Sequence, residues 1–369
     1  MRSYLRHFLV FLIISFGSLL ALSYLIDPYG VWQSNSGFPR KVAASDKVRQ
    51  IKSYQGMRYS PEVLIVGNSR VEIGLPPEHP FYQGKVYNLG LPGAGVLMQY
   101  DYAWHLIQTG NNIQQVLVAV DFVDFLSVKP SGSKLVGSWQ ARLNYYLAEP
   151  YRDNKNYWVQ GSEQFQLAFS QSAIVDSLKT IISQSQDLNA TGVNGFNDGR
   201  LYHNIVKNEG FSALYRQKID ELQKRLQRDG LKFDTSGREF LALDSFLKLL
   251  TDKGITVTLF INPYQYHYLD LIEKNGLEQT FIDWKLNVQQ FAARYNLALY
   301  DFAIRSELVS AAAVLKSKKL EDNPFFWEPA HYRPTFGVLM LDVFLQQNCT
   351  IEVNGAPLTL CQLTLSKKI

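Results

Sequence analysis

Nineteen consecutive uncharged residues, Phe8 to Ile26 (FLVFLIISFGSLLALSYLI), constrain this chain more than any other feature. As an α-helix they would extend about 28 Å, close to the roughly 30 Å hydrocarbon core of a bilayer. Arg2 and Arg6 precede the run and Asp27 follows it. Basic residues stay on the cytoplasmic side, so the bulk of the chain is expected to face outward. A cleaved signal peptide is the competing reading. Its apolar region is usually about 7 to 15 residues long, and Leu22-Ser23-Tyr24-Leu25-Ile26 offers no Ala-x-Ala-like cleavage site. The pattern therefore predicts a cytoplasmic leader (1–7), a retained single-pass anchor (8–26) and an exit linker (27–60) that begins with the turn-like Asp27-Pro28-Tyr29-Gly30.

Beyond the linker, short apolar runs alternate with helical patterns. Strands are predicted at Val63 to Val66, Lys85 to Asn88, Val116 to Asp121, Ile255 to Asn262 and Leu297 to Asp301. Helices are predicted at Leu97 to Thr109, Leu214 to Arg228, Arg238 to Lys253, Glu278 to Tyr295 and His331 to Gln347. Such alternation implies a mainly parallel sheet buried between helices. The expected fold class is α/β: a flavodoxin-like three-layer sandwich with a mainly parallel five-stranded sheet, built from 61–125 and 234–347. The stretch 126–233 interrupts the alternation and is far longer than an ordinary crossover. It holds Trp139, Tyr145, Tyr146, Tyr151, Tyr157 and Trp158, and reads as an inserted helical cap whose rings build its own core or wall a cleft. The tail, 348–369, reads as a hairpin turning at Asn354-Gly355. Cys349 and Cys361 flank it, and an oxidising compartment would join them in a disulfide.

The charge balance, 37 Lys+Arg against 33 Asp+Glu, is too mild to imply a nucleic-acid partner. No His-Glu-x-x-His or Gly-x-Gly-x-x-Gly occurs, so neither a metal nor an organic cofactor is expected.

In parallel sheets chemistry collects where strands end in loops at the carboxyl edge. Asn68-Ser69, Asn88, Asp121 and Asn262 stand at predicted strand ends. A serine needs a base to become a nucleophile. Of six histidines, His331 is the best candidate, because Glu328 lies three residues before it. A turn there lets Glu328 accept from Nδ1–H and leaves Nε2 free to face Ser69. The bland alternatives are a helix-capping serine and a chance Glu-x-x-His. His79 and His105 are expected to be structural or exposed.

Gly67-Asn68-Ser69-Arg70, Asn88-Leu89-Gly90 and Glu328-Pro329-Ala330-His331 together resemble the SGNH (GDSL-like) hydrolase superfamily. They are most similar to its membrane-anchored branch of polysaccharide O-acyltransferases and DltD-like proteins. The resemblance covers roughly 60 to 125 and 250 to 345. It implies Ser69 as nucleophile, His331 as base and Glu328 as orienting acid, with the N–H groups of Ser69 and Gly90 as oxyanion donors. The family's third block carries an Asn where this chain has Asp121, and an ionised carboxylate there would repel an oxyanion. Asn88 or Asn262 would then have to serve. Asp121 would bind substrate hydroxyls or pair with Arg70. Arg70 and Arg333 each read as substrate contacts or as structural ion pairs, and His267 as a cleft residue.

The resemblance further implies a bacterial inner-membrane protein with its main domain periplasmic or extracellular. Its substrate would be an envelope polysaccharide, and a membrane-embedded acyl-donor protein would be a partner. The expected activity is acyl transfer or ester hydrolysis on an O-acetyl or similar group. The alternative is a non-catalytic glycan-binding or assembly protein of the same fold.

Overall fold

The computed structural model describes residues 2–33, 37–127, 138–144, 157–227, 232–234, 237–353 and 355–365. Among these, the strands of the central sheet are β1 (Val63–Asn68), β2 (Val86–Leu91), β3 (Gln115–Val120), β4 (Thr256–Ile261), β5 (Leu299–Asp301) and β6 (Gln362–Thr364). The helices are α1 (Arg2–Ile26), α2 (Val48–Tyr59), α3 (Ser69–Gly74), α4 (Val96–Gln108), α5 (Tyr157–Phe169), α6 (Gln171–Ile182), α7 (Arg200–Glu209), α8 (Phe211–Leu226), α9 (Arg238–Asp252), α10 (Tyr266–Lys274), α11 (Glu278–Arg294), α12 (Glu307–Ser310) and α13 (Pro334–Gln346).

The protein is α/β, with strand order β6-β5-β4-β3-β1-β2. The first five strands in sequence run parallel, and β6 is antiparallel to β5. All residues of β1, β2 and β3 are buried. That is why these strands read as continuous apolar runs rather than alternating ones. The sheet thus has six strands where five were expected. The sixth escapes a search for apolar runs because it is a three-residue edge segment. It is delivered to β5 by the tail, whose Cys349 and Cys361 are joined in a disulfide with Cα atoms 5.0 Å apart. Between the cysteines, Thr350–Val353 and Ala356–Thr359 pair as the predicted hairpin. Its expected turn residue Asn354 lies outside the described residues, as do Tyr145, Tyr146, Tyr151 and Arg228.

Two further expectations change. The last helix starts at Pro334, not at His331. Proline suits the first helical position because it has no N–H to leave unpaired, and His331 sits before it in a short hairpin, Phe326–Glu328 with His331–Tyr332. Residues 27–60 are not a linker. Tyr29, Val31, Ile51 and Tyr54 are buried in one apolar cluster with Leu167 and Ala173 of the inserted segment. Before them, α1 is long and apolar enough to cross a membrane, with mean hydropathy 2.4 over its most apolar window and only 11% of that window buried.

Helix α13 positions the hairpin against α3. Phe344 packs on Phe260 of β4 and Tyr300 of β5. At its other end, Gly337 meets α3 so closely that a Cβ there would lie 1.9 Å from the Gly74 carbonyl oxygen. Gly337→Ala should therefore force α13 and α3 apart and cost about 1–3 kcal/mol. The check is a lower denaturant midpoint for the full chain in detergent.

Candidate active site

Chain geometry at the end of β1 positions Ser69. Asn68 is the N-cap of α3, and its side-chain oxygen accepts from the Arg70 N–H at 3.0 Å. The cap is therefore the asparagine, which leaves the Ser69 hydroxyl free for other work. Ser69 Oγ lies 2.7 Å from His331 Nε2. The other ring nitrogen of His331 hydrogen-bonds to Glu328 Oε1. Glu328 Oε2 accepts from the Ala330 N–H at 2.7 Å, so both carboxylate oxygens are engaged and the carboxylate is held in place. Ser69 is partly exposed, while His331 and Glu328 are buried.

The protonation states suit this chain of contacts. Burial disfavours the His331 imidazolium and outweighs the pull of Glu328, so its pKa falls below the ordinary value. Burial pushes the Glu328 carboxyl up, but the neighbouring imidazole and the Ala330 N–H overcome it, and the net pKa is lowered. Near neutral pH Glu328 is ionised and His331 neutral, with its proton on Nδ1 and a lone pair on Nε2 aimed at the hydroxyl.

Beneath the triad lies a buried polar web. Arg70 Nη1 pairs with Asp121 Oδ1 at 3.0 Å, and Arg70 Nε donates to the Ala330 carbonyl at 2.8 Å. The Asp121 oxygens also accept from Asn68, Asn262 and the Tyr264 hydroxyl at 2.6, 2.9 and 2.9 Å. Burial alone would lower the Arg70 pKa, but Asp121 reverses this and raises it, so the guanidinium stays charged. Asn68, Asp121 and Asn262 do meet at the carboxyl edge, as expected. They are joined to one another rather than opened to a ligand.

Several expected roles are thereby corrected. Asp121 is buried with both oxygens already engaged; it pairs with Arg70, which is itself buried and braces the site. Asn88 is not at a strand end. It sits inside β2 opposite Ile65, and its amide donates to the Val71 and Leu75 carbonyls. Gly90 donates its N–H to Asn88 Oδ1 at 2.9 Å and is unavailable as an oxyanion donor. Its missing side chain instead allows close packing, since a Cβ would lie 2.6 Å from the Glu72 nitrogen. Asn262 is spent on Asp121 and on accepting from the Tyr332 hydroxyl. Arg333 donates to the Leu320 and Asn323 carbonyls and lies over the Trp327 ring, a structural use. His267 bonds Gln265 and packs on Tyr215, and no described contact joins it to Ser69 or His331. Its neighbour Gln265 donates its N–H to the Pro329 carbonyl, bracing the hairpin from that side.

The inserted segment supplies residues that no sequence motif marked. The Tyr202 ring lies 5.6 Å from the His331 ring and 5.8 Å from Trp327. Asn197 is buried, its N–H donates to the Glu72 carbonyl of α3, and its Oδ1 accepts from Gly199. Its Nδ2 makes no hydrogen bond among the described residues. Asn197 lies in a loop and Tyr202 in the first turn of α7, and only the tertiary structure brings either beside the site. Lys52 is buried, ion-paired to Glu72 at 3.1 Å, and donates to the Gly90 carbonyl.

Arg70→Met should cost about 3–5 kcal/mol, because it strands the buried Asp121 carboxylate. Adding Asp121→Asn should recover part of that loss, since the orphaned charge goes with it. Denaturant unfolding of the full chain, single against double variant, reads both effects. No protein-family model matches the chain and no curated protein matches it, so the case for this site rests on its own atoms.

Proposed function

We propose that this protein is a serine-dependent acyltransferase or esterase that acts on an O-acetyl or similar group of an extracytoplasmic polysaccharide. The observation that carries the reading is the 2.7 Å contact between Ser69 Oγ and His331 Nε2, backed by Glu328 on the far ring nitrogen. A non-catalytic binding protein has no need for a hydroxyl, a neutral imidazole and an ionised carboxylate in this order.

In the first half-reaction Ser69 Oγ attacks the acyl carbonyl carbon as its proton passes to His331 Nε2. The tetrahedral intermediate collapses, the bond to the leaving alkoxide breaks, and the imidazolium returns its proton to that oxygen. In the second, an acceptor hydroxyl gives its proton to His331 and attacks the acyl-enzyme, and Ser69 leaves reprotonated. Water as acceptor gives hydrolysis, and a sugar hydroxyl gives transfer. Glu328 stabilises the imidazolium formed in each half. The Ser69 N–H opens α3 and has no intrahelical acceptor, so it is one oxyanion donor. Asn197, tied by its N–H to the Glu72 carbonyl of α3, is the candidate for a second donor through its Nδ2.

The wider setting follows the same reading. The strand order β2-β1-β3-β4-β5 supports a flavodoxin-like three-layer sandwich with the site at its carboxyl edge. The described part of 126–233 is read as its cap, and the partly exposed Tyr202 ring beside His331 suits a sugar face. Arg2 and Arg6 in the first turns of α1 favour a cytoplasmic N-terminus in a bacterial inner membrane. The disulfide suits a periplasmic or extracellular main domain. A membrane-embedded acyl-donor protein would then be within the anchor's reach.

The test is hydrolysis of p-nitrophenyl acetate by the full chain across pH. Protonation of His331 destroys the base, so kcat/KM should fall on the acid side, with its midpoint below the ordinary imidazole value of 6.5. Glu328→Gln should lower kcat by about 10²–10⁴-fold. It should also move the acid limb lower still, because the group that favours the imidazolium is gone. Equal rates in native and Ser69→Ala protein would contradict the reading.

A further inference from the structure

Helices α5 and α6 pack against α1, and each carries an apolar face that is exposed among the described residues. On α5, Trp158 is 91% exposed and Phe165, seven residues on, is 61% exposed. On α6, Val175, Leu178 and Ile182 are exposed at spacings of three and four, which puts them on one face. Lys179 is exposed on that same face of α6. The opposite face is accounted for, since Ala173, Ser177 and Thr180 are buried. Soluble proteins rarely leave such large side chains grouped in water.

The junction with α1 is built, not loose. Asp27 accepts from the Val31 and Trp32 N–H groups at 2.9 Å each. Lys41 Nζ donates to the Ile26 carbonyl, closing the end of α1. The Tyr29 hydroxyl donates to Asp176 of α6 at 2.6 Å. Tyr24, in the last turn of α1, stacks on Phe169 at the end of α5, with ring centres 6.1 Å apart, and Phe169 in turn contacts Phe165. The apolar surface therefore continues from the span onto α5 and α6, through side chains in contact.

We propose that the exposed face of α5 and α6 is a membrane-docking surface, seated in the interfacial layer of the bilayer that α1 crosses. Tryptophan is favoured at that depth, and Lys179 can reach anionic headgroups while its stem stays among apolar neighbours. The main domain is thereby held against the membrane at a fixed height instead of swinging on a tether. This inference rests on α1 being a span, and the test separates the two.

The full chain is placed in nanodiscs of phosphatidylethanolamine and phosphatidylglycerol. Spin labels are attached to Phe165→Cys, Ile182→Cys, Phe11→Cys in α1 and Leu286→Cys on the exposed face of α11. Collision with oxygen is compared with collision with a water-soluble nickel chelate. The logarithm of the oxygen-to-nickel ratio should be positive at 11, 165 and 182 and negative at 286. In parallel, brominated lipid should quench native tryptophan emission, and Trp158→Phe should lose that part of the quenching. Positive at 11 but negative at 165 and 182 overturns the docking surface and leaves the span standing. Negative at 11 as well overturns both. Labels at 165 and 182 shielded from both reagents, with short distances between labels on two copies, would instead assign the face to a second copy of this chain and overturn the proposal.

Discussion

The site depends on one buried cation. Arg70 immediately follows Ser69, yet its guanidinium reaches two segments far away in sequence: Asp121 beyond β3 and the Ala330 carbonyl beside His331. The hydroxyl and the imidazole it holds in register are 262 residues apart in sequence. Burying a guanidinium is costly unless it is paired and its donors are satisfied. Here the ion pair with Asp121, the Ala330 carbonyl and the ring faces of Tyr264 and Tyr268 supply that environment. The same satisfaction that stabilises the pair fixes the distance between Ser69 and His331, so fold stability and site geometry share one interaction.

Burial also divides the titratable groups by role. His331 is kept neutral because desolvation disfavours its cation, while Glu328 remains ionised because the imidazole and a backbone N–H favour its anion. A neutral base beside an anion is poised, since the charge that forms on the ring during proton transfer has a partner already in position.

Much of this was legible in the sequence, for reasons that can be named. Strands β1 and β3 are buried on both faces, so Val63 to Val66 and Val116 to Val120 print an uninterrupted apolar signal. Glu-x-x-His reads correctly because the spacing is local and a tight turn closes it. What could not be read were the partners of polar groups. Asn88, Asp121 and Asn262 look alike as polar residues near strand ends, but the first lies mid-strand and the other two bond each other and further buried partners. Gly90 fits a family block, yet its N–H is taken by a residue two positions earlier. Linker and domain could not be told apart either, because Tyr29 and Tyr54 find their cover in α5 and α6, more than 100 residues away along the chain. Asn197 sits in a loop, and the amphipathic pattern around Tyr202 marks a helix without saying what that helix packs against.

The central claim is that Ser69 is a nucleophile activated by His331. Treatment of the full chain in detergent with a fluorophosphonate, followed by peptide mass mapping, tests it most directly. The account predicts an adduct on Ser69 that is absent in Ser69→Ala and strongly reduced in His331→Ala. An unmodified Ser69 under conditions that label a control serine esterase, or labelling unaffected by loss of His331, would contradict it.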